Sequence, residues 1–134
     1  MCLDSARYGI AWGAIGAAMD CYDTALRYSK ERMQFGKPIG QFQLQQKKLA
    51  EMITEITKAQ LMNWRLGVLK SEDRATAAQI SMAKRNSVET AMNCARDARQ
   101  MLGGMGITGE YPIMRHMMNL ESVATYEGTH DIHL

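Results

Sequence analysis

The sequence predicts an all-α protein, an up-down four-helix bundle. Only two prolines occur in 134 residues, and 46% of the residues are hydrophobic. Because proline interrupts helices, its scarcity favours helix through most of the chain. Apolar residues also recur at spacings of three and four over long stretches, which is the periodicity of helices that bury one face. Short links separate these stretches, as expected of antiparallel neighbours in a bundle.

The first helix is expected to run from a cap at Asp4 or Ser5 to about Arg32, and a turn at residues 35–38 follows it. Within it, Gly9, Gly13 and Gly16 lie about one helical turn apart. Glycine lowers helix propensity, so this spacing marks a face that another backbone or a ligand approaches. Close packing between helices and approach of a ligand both remain open.

Two further long helices are expected, from about Gln43 to Lys70 and from about Ala75 to Leu102. Each has a stripe of core-facing positions at helical spacing. In the second helix the stripe is Leu49, Met52, Ile53, Ile56, Ala59 and Gln60, and in the third it is Ile80, Ala83, Val88, Ala91, Ala95 and Leu102.

After the third helix, four glycines within residues 103–109 predict a loop that can present backbone N–H groups. This is not a dinucleotide fingerprint, because no strand precedes it and the spacing differs. Pro112 is expected to open a shorter helix that continues to about Ala124. No segment of the chain reads as a strand.

Composition excludes several classes of function. The net charge is +2, and the basic residues are interspersed with acidic ones, so nucleic acid is not indicated as a partner. The three cysteines are far apart and odd in number, which suggests neither a zinc site nor a disulfide framework but a reducing compartment. No apolar run is long enough to span a membrane. The twelve methionines are interpreted as adaptable packing between helices.

The segment Tyr126-Glu127-Gly128-Thr129-His130-Asp131 carries the strongest chemical signal. Glycine permits a sharp bend and close approach of a flat ligand, and Thr129 can cap a helical turn. A carboxylate on such a bend is placed like a general base, although an ordinary helix N-terminus with a solvated Glu127 fits the same letters. Glu127 and His130 also form a Glu-x-x-His pair, and His130 and His133 lie one turn apart, so a metal-binding bundle is an alternative.

Four motifs in order along the chain resemble the C-terminal helical domain of the acyl-CoA dehydrogenase family. They are Ala6-Arg7-Tyr8-Gly9-Ile10-Ala11-Trp12-Gly13, Arg32-Met33-Gln34-Phe35-Gly36-Lys37-Pro38, Gln100-Met101-Leu102-Gly103-Gly104 and Tyr126-Glu127-Gly128-Thr129. The match covers essentially the whole chain. The first motif and the finish Thr129-His130-Asp131-Ile132-His133 resemble the glutaryl-CoA dehydrogenase branch most.

This resemblance implies a site divided between base, cofactor and substrate. Glu127 would be the base that removes the pro-R α-proton of a thioester, while the β-hydride passes to FAD. Some relatives carry the base just before the arginine of the first motif, where this chain has Ala6. Substrate-side positions would be Arg7 and Gly128. The cofactor-binding residues would be Arg32, Phe35, Gln43, Gln100, Met101, Leu102, Gly103, Gly104 and Thr129.

The resemblance further implies a three-domain enzyme of which the chain is the C-terminal bundle, so we expect it to bind FAD poorly and to have no turnover by itself. The intact enzyme would be a homotetramer that passes electrons to an electron-transfer flavoprotein and converts glutaryl-CoA to crotonyl-CoA with decarboxylation. A bacterial cytoplasm and a mitochondrial matrix both suit it. Another short-chain acyl-CoA dehydrogenase, and a helical oligomerisation module without chemistry, remain alternatives.

Overall fold

The structure is a computed structural model that describes residues 2–134, and it is an all-α bundle of four helices. Helix α1 spans Cys2–Glu31, α2 spans Gln43–Ser71, α3 spans Ala77–Leu102 and α4 spans Ile113–Thr125. The predicted fold class and four helices are therefore confirmed. Within residues 2–134, no helix combines the length and the apolar character needed to cross a bilayer.

Helix α3 lies at the centre and contacts each of the other three helices. All six positions predicted for its core-facing stripe are buried. The facing surface of α1 is formed mainly by small buried side chains (Ala11, Ala14, Ala18, Cys21 and Ala25), which allow the two long helices to approach closely. In α2 the stripe is less regular, because Met52, Ile56 and Ala59 are buried whereas Ile53 is 42% exposed.

A capping box begins α3 at Ala77, two residues later than the sequence suggested. The hydroxyl of Thr76 accepts a hydrogen bond from the backbone N–H of Gln79, and the side-chain oxygen of Gln79 accepts one from the N–H of Thr76. These two bonds satisfy donors that the first helical turn would otherwise leave unpaired. By contrast, the caps predicted for α1 are wrong, since Asp4 and Ser5 already lie inside that helix.

The expectation that the chain has no strands is also wrong, although the exception is small. Strands β1 (Met33–Gln34) and β2 (Lys37–Pro38) form a two-residue antiparallel hairpin after α1. Phe35 and Gly36 make its turn with φ angles of 54° and 77°. Positive φ at both central residues is the turn geometry that matches the twist of a tight hairpin.

The glycine-rich segment after α3 is a 3₁₀ helix, Gly103–Ile107, and not the irregular loop that its composition predicted. Gly103 leaves α3 with φ 59° and ψ −132°, a conformation accessible almost only to glycine. Gly106 is buried, and a Cβ placed there would lie 2.5 Å from the carbonyl oxygen of Arg99. Glycine therefore lets this segment fold back tightly against the last turn of α3.

Candidate active site

Glu127 lies on a sharp bend directly after α4. Its φ is 56°, and that of Gly128 is 102°, so two consecutive residues have left-handed backbone conformations. A non-glycine residue adopts this region rarely and persists there when its surroundings hold it. The predicted bend carrying a carboxylate is therefore present, and the contacts around it must offset its backbone strain.

Side chains from two helices hold the backbone of this bend. The ammonium of Lys84, on α3, donates hydrogen bonds to the carbonyl oxygens of Tyr126 and Gly128 at 3.1 and 2.8 Å. The Nε of Arg7, on α1, donates to the carbonyl oxygen of Glu127 at 2.8 Å. Three consecutive carbonyl groups are thus each bound by a cationic side chain, and such charge-assisted bonds are stronger than neutral ones.

His133 closes the bend from the C-terminal side. Its Nε2 lies 3.1 Å from the carbonyl oxygen of Glu127, and its Nδ1 lies 2.9 Å from the hydroxyl of Ser81 on α3. This pairing fits a neutral ring with the proton on Nε2, which donates to the carbonyl while Nδ1 accepts from Ser81. A Cβ placed on Gly128 would lie 2.6 Å from Nε2, so the glycine makes room for this ring as well as permitting the backbone angle.

Unlike the backbone carbonyls of the bend, the carboxylate of Glu127 is not fully hydrogen-bonded. Among residues 2–134, its Oε2 atom has no hydrogen-bond partner and is inaccessible to solvent. Leaving a buried acceptor unpaired costs about 1–3 kcal/mol, so such groups call for an explanation. A carboxylate oxygen without a hydrogen-bond partner keeps its lone pairs free to accept a proton, as a general base must do.

The cationic groups beneath the bend affect one another. Burial lowers the pKa of Lys84, the charge of Arg7 lowers that pKa further, and the Glu127 carboxylate opposes both effects. Lys84 is fully buried. A lysine in this position costs desolvation energy, and its two bonds to carbonyl groups compensate for part of that cost.

We expect the stability of the bend to depend on pH through His133. Burial lowers the pKa of His133 from 6.5, with smaller contributions from Lys84 and Arg7, so the unfolded chain binds the proton more readily than the folded one. The free energy of unfolding should therefore fall as the pH drops below about 6.5 towards the folded-state pKa, and the contribution should be intact above that window. Denaturant titrations at pH 5, 6 and 7 measure this slope. The variant His133→Gln, which cannot be protonated in this range, should reduce the slope, and an unchanged slope would contradict the assignment.

A groove of about 520 Å³ between α1 and α4 adjoins the bend, and Tyr126 belongs to its lining. Gly13 and Gly16 of the predicted glycine face also line it. No atom lies within 4 Å of a Cβ placed at Gly9, Gly13 or Gly16, so close packing of another helix of this chain on these glycines is excluded for the described residues. The face is open to a ligand or to another chain.

His116 lies in the lining of the same groove and pairs with Asp20 across α4 and α1, with Nε2 and Oδ2 2.6 Å apart. This pair is a contact between the two helices.

A second cavity, of about 360 Å³, gathers most of the residues predicted to bind the cofactor. Its lining includes Arg32, Met101, Leu102, Gly103 and Gly104 from segments distant in sequence. The space beside Gly103 and Gly104 is open, since a Cβ at either position would meet no atom within 4 Å. The cavity thus offers a guanidinium and approachable backbone on the same surface.

The remaining predicted cofactor residues are not in this cavity's lining. Phe35 is 90% exposed at the hairpin turn, where its ring packs edge-on against Phe42. Gln43 is exposed at the start of α2, and the exposed Gln100 accepts a hydrogen bond from Lys48 at 2.5 Å. Thr129 lies at the Glu127 bend, where its hydroxyl accepts from the N–H of Ile132 at 3.4 Å, as the predicted cap of a single turn.

The two groups of predicted site residues lie at opposite ends of the bundle. Arg7, which contacts the bend, is in the second turn of α1, whereas Arg32 follows the end of that 30-residue helix. At 1.5 Å per residue these positions are about 37 Å apart along the helix. A single dinucleotide cannot reach from one to the other.

Sequence reasoning missed Lys84, although a signal was present. Lys84 falls four residues after Ile80 and four before Val88, inside the apolar stripe of α3, so helical periodicity places it on the buried face. A charged residue is rarely fully buried unless it has partners. Its partners could not be read locally, because they are more than 40 residues further along the chain.

The alternative of a metal site finds no support in the geometry. Both ring nitrogens of His133 are engaged in hydrogen bonds, so neither is free as a ligand. Among the residues from Cys2 to Leu134, no group of three or more histidine, cysteine or acidic side chains is arranged to hold a metal ion.

Comparison with known proteins agrees with the fold. The model of the acyl-CoA dehydrogenase C-terminal domain matches residues 1–134. The short-chain specific acyl-CoA dehydrogenase of Megasphaera elsdenii is 37% identical over 134 residues, which is 100% of this chain and 35% of that protein. The crystal structure of glutaryl-CoA dehydrogenase from Mycobacterium smegmatis superposes with a TM-score of 0.97 at 53% identity, covering 98% of this chain and 34% of that one.

A second structure, of a glutaryl-CoA dehydrogenase from Mycobacterium smegmatis in complex with FADH2, superposes with a TM-score of 0.96 at 47% identity, with the same coverage of 98% and 34%. The chain spans about a third of the length of these relatives. Because the family model matches along the entire chain, the chain belongs to the acyl-CoA dehydrogenase family and corresponds to its C-terminal domain.

Proposed function

We propose that this chain is the base-bearing domain of an FAD-dependent acyl-CoA dehydrogenase of the glutaryl-CoA branch. The observation that carries the proposal is Glu127, which lies on a strained bend and whose buried Oε2 has no hydrogen-bond partner among residues 2–134. The strained backbone and the unpaired oxygen both lower the stability of the fold, and proteins keep such unfavourable features mainly at functional sites.

Glu127 would act by removing the pro-R α-proton of the acyl thioester. The α C–H bond breaks, the proton passes to the carboxylate, and the electron pair remains on the substrate, delocalised towards the thioester carbonyl. FAD, when bound, supplies the acceptor for the β-hydride. Arg7, Lys84 and His133 contribute by fixing the backbone from which the carboxylate projects.

The second cavity suits the phosphate-bearing part of such a cofactor. Arg32 presents a planar guanidinium, which binds phosphate oxygens with two parallel hydrogen bonds. Gly103 and Gly104 leave their backbone accessible beside it, as close approach to a nucleotide requires. The exposed ring of Phe35 is available for contact with the same cofactor.

The separation of about 37 Å between the two ends supports an oligomer in which each bundle serves two flavins. One end would place Glu127 and Thr129 at one flavin, and the other would place Arg32 and the glycine-rich turn at the flavin of a neighbouring subunit. A homotetramer, as implied by the family resemblance, is the proposed assembly. An electron-transfer flavoprotein is the proposed electron acceptor, in a bacterial cytoplasm or a mitochondrial matrix.

The groove between α1 and α4 is consistent with a short acyl chain near the base. Ile10, Ala17 and Val123 give it apolar walls, and Tyr126 directly precedes Glu127. Its glycines keep one wall flat. The chain's resemblance to the glutaryl-CoA branch favours glutaryl-CoA as substrate, and a straight short-chain acyl-CoA is the alternative.

Product analysis separates these substrates and tests the proposed reaction. The full-length, flavin-loaded protein is incubated with glutaryl-CoA or butyryl-CoA and an electron acceptor, and the thioesters are identified by mass spectrometry. We expect glutaryl-CoA to yield crotonyl-CoA and carbon dioxide at a higher kcat/KM than butyryl-CoA is oxidised. Glutaconyl-CoA as the final product would contradict decarboxylation, and preference for butyryl-CoA would favour the short-chain alternative.

If Arg32 binds the phosphates of FAD, its replacement should weaken the binding of the cofactor. The variant Arg32→Gln should weaken FAD binding by about tenfold to a hundredfold, because a charge-assisted hydrogen bond contributes roughly 1.5–3 kcal/mol. Flavin content after dialysis and titration of the apoprotein with FAD measure the effect. The control is Lys30→Gln, which removes another cation from the same end of α1. Equal losses in both variants would indicate a general effect of charge at the helix end.

A further inference from the structure

The bend that carries Glu127 depends on an unusual internal residue, Lys84. Its side chain is fully buried in the central helix, and its ammonium spans the bend by binding the carbonyl groups on either side of Glu127. The bonds measure 3.1 Å to Tyr126 and 2.8 Å to Gly128. A single donor group therefore fixes the positions of both residues that flank the proposed base.

The geometry points to Lys84 as the positioning residue for the proposed base, acting through the backbone at Tyr126 and Gly128. This inference rests on the proposed function of Glu127. Lys84 binds the backbone of the bend and so acts through Glu127 rather than on the substrate. Its hydrogen bonds stabilise the left-handed backbone conformation of Glu127, which a non-glycine residue rarely adopts.

A packing role alone would be filled better by an apolar residue. A buried lysine costs desolvation, and a hydrophobic side chain of similar length would avoid that cost. What an apolar side chain cannot do is satisfy two carbonyl groups that point into the interior. The bonded residues are 42 and 44 positions away along the chain, so Lys84 connects the bend to the central helix α3.

Arg7 and His133 bind the remaining carbonyl, that of Glu127, and do not duplicate this function. Without Lys84, Tyr126 and Gly128 would lose their bonds to α3, and the carboxylate would shift relative to the substrate. Displacement of a reacting group by about 1 Å can reduce a rate about 100-fold.

The test uses Lys84→Met in the full-length, flavin-loaded protein, with Lys58→Met as the matched control. Methionine has a similar length but no donor, and Lys58 is an exposed lysine of α2 that pairs with Glu55. The rate of flavin reduction at saturating acyl-CoA is measured per bound flavin, with unlabelled and α-deuterated substrate, using whichever of glutaryl-CoA and butyryl-CoA reduces the wild type faster. Normalising to bound flavin removes any loss of folded protein.

We expect Lys84→Met to reduce the rate per bound flavin by about 10- to 100-fold, with substrate affinity changed by less than about threefold. The α-deuterium isotope effect should be at least as large as in the wild type, because α C–H cleavage limits the rate. Lys58→Met should behave as the wild type. If Lys84→Met retains too little flavin for measurement, Lys84→Gln, which keeps one amide donor, should show a smaller loss of the same kind.

A wild-type rate per bound flavin in Lys84→Met or Lys84→Gln would overturn the inference, as would a reduced rate without an α-deuterium isotope effect. Failure of the proposed function has a different signature. In that case acyl-CoA would reduce the flavin of Glu127→Gln at the wild-type rate, or neither acyl-CoA would reduce the flavin of the unmodified protein. Either result would also remove the basis for the positioning role of Lys84.

Discussion

Replacing Glu127 with glutamine is expected to slow reduction of the bound flavin by acyl-CoA about 1,000-fold. General base catalysis contributes about 10²- to 10⁴-fold, and glutamine keeps the size of the side chain while removing the basic lone pairs. The substitution replaces one oxygen of this incompletely paired carboxylate with an amide nitrogen, which cannot accept the proton. Rapid-mixing absorbance of the full-length, flavin-loaded protein measures the rate directly.

Two further variants serve as controls for Glu127→Gln. Glu121→Gln changes an exposed acid of α4 and should leave the rate unchanged. Glu127→Asp keeps the carboxylate but withdraws it by one methylene, and should retain a rate between those of the wild type and Glu127→Gln. Full activity of Glu127→Gln would show that another group removes the proton. Ala6, at the alternative base position that the family resemblance implies, has no group that could accept it.

The largest loss of stability from a single methyl group is expected at Gly106. The Cβ of Gly106→Ala would lie 2.5 Å from the carbonyl oxygen of Arg99 and 3.1 Å from its Cα. Because these are backbone atoms of α3, they cannot move aside as a side-chain end could. Overpacking of this kind costs about 1–3 kcal/mol, and the free energy of unfolding from denaturant titration should fall by that amount.

Gly109→Ala is the matched control, since a Cβ there would meet no atom within 4 Å and its φ is not left-handed. We expect it to be neutral, or to stabilise by up to about 1 kcal/mol through the unfolded chain. Gly106→Ala should also reduce FAD retention in the full-length protein, because Gly103 and Gly104 belong to the same 3₁₀ helix. Equal stability of the two variants would contradict the packing described for this turn.

The long helices could be predicted because their signals are local. Helix α2 begins at Gln43, as expected, and α3 ends at Leu102, immediately before the glycines that stop it. The hairpin at residues 33–38 was not predicted, because two-residue strands are too short to show periodicity. In addition, no sequence pattern indicates the positive φ of Phe35. Predicted caps at Asp4 and Ser5 failed because suitable cap residues also occur inside helices.

The candidate site could be predicted in part, where its signals are local in sequence. The segment around Glu127 has a local pattern, and the cavity near Arg32 joins two segments that the resemblance had already singled out. The bonds from Lys84 to the bend and from His133 to Ser81 connect residues far apart in sequence. Such contacts arise from the packing of α3 against the C-terminal turn, and local patterns do not encode their partners.

The most direct test of the central claim is the visible spectrum of the full-length protein, recorded without oxygen before and after addition of glutaryl-CoA. We expect a bound-flavin absorption band that bleaches on addition of substrate, and that persists under the same conditions in Glu127→Gln. A protein without flavin, or a flavin band that neither glutaryl-CoA nor butyryl-CoA bleaches, would contradict the account and leave a helical bundle without this chemistry.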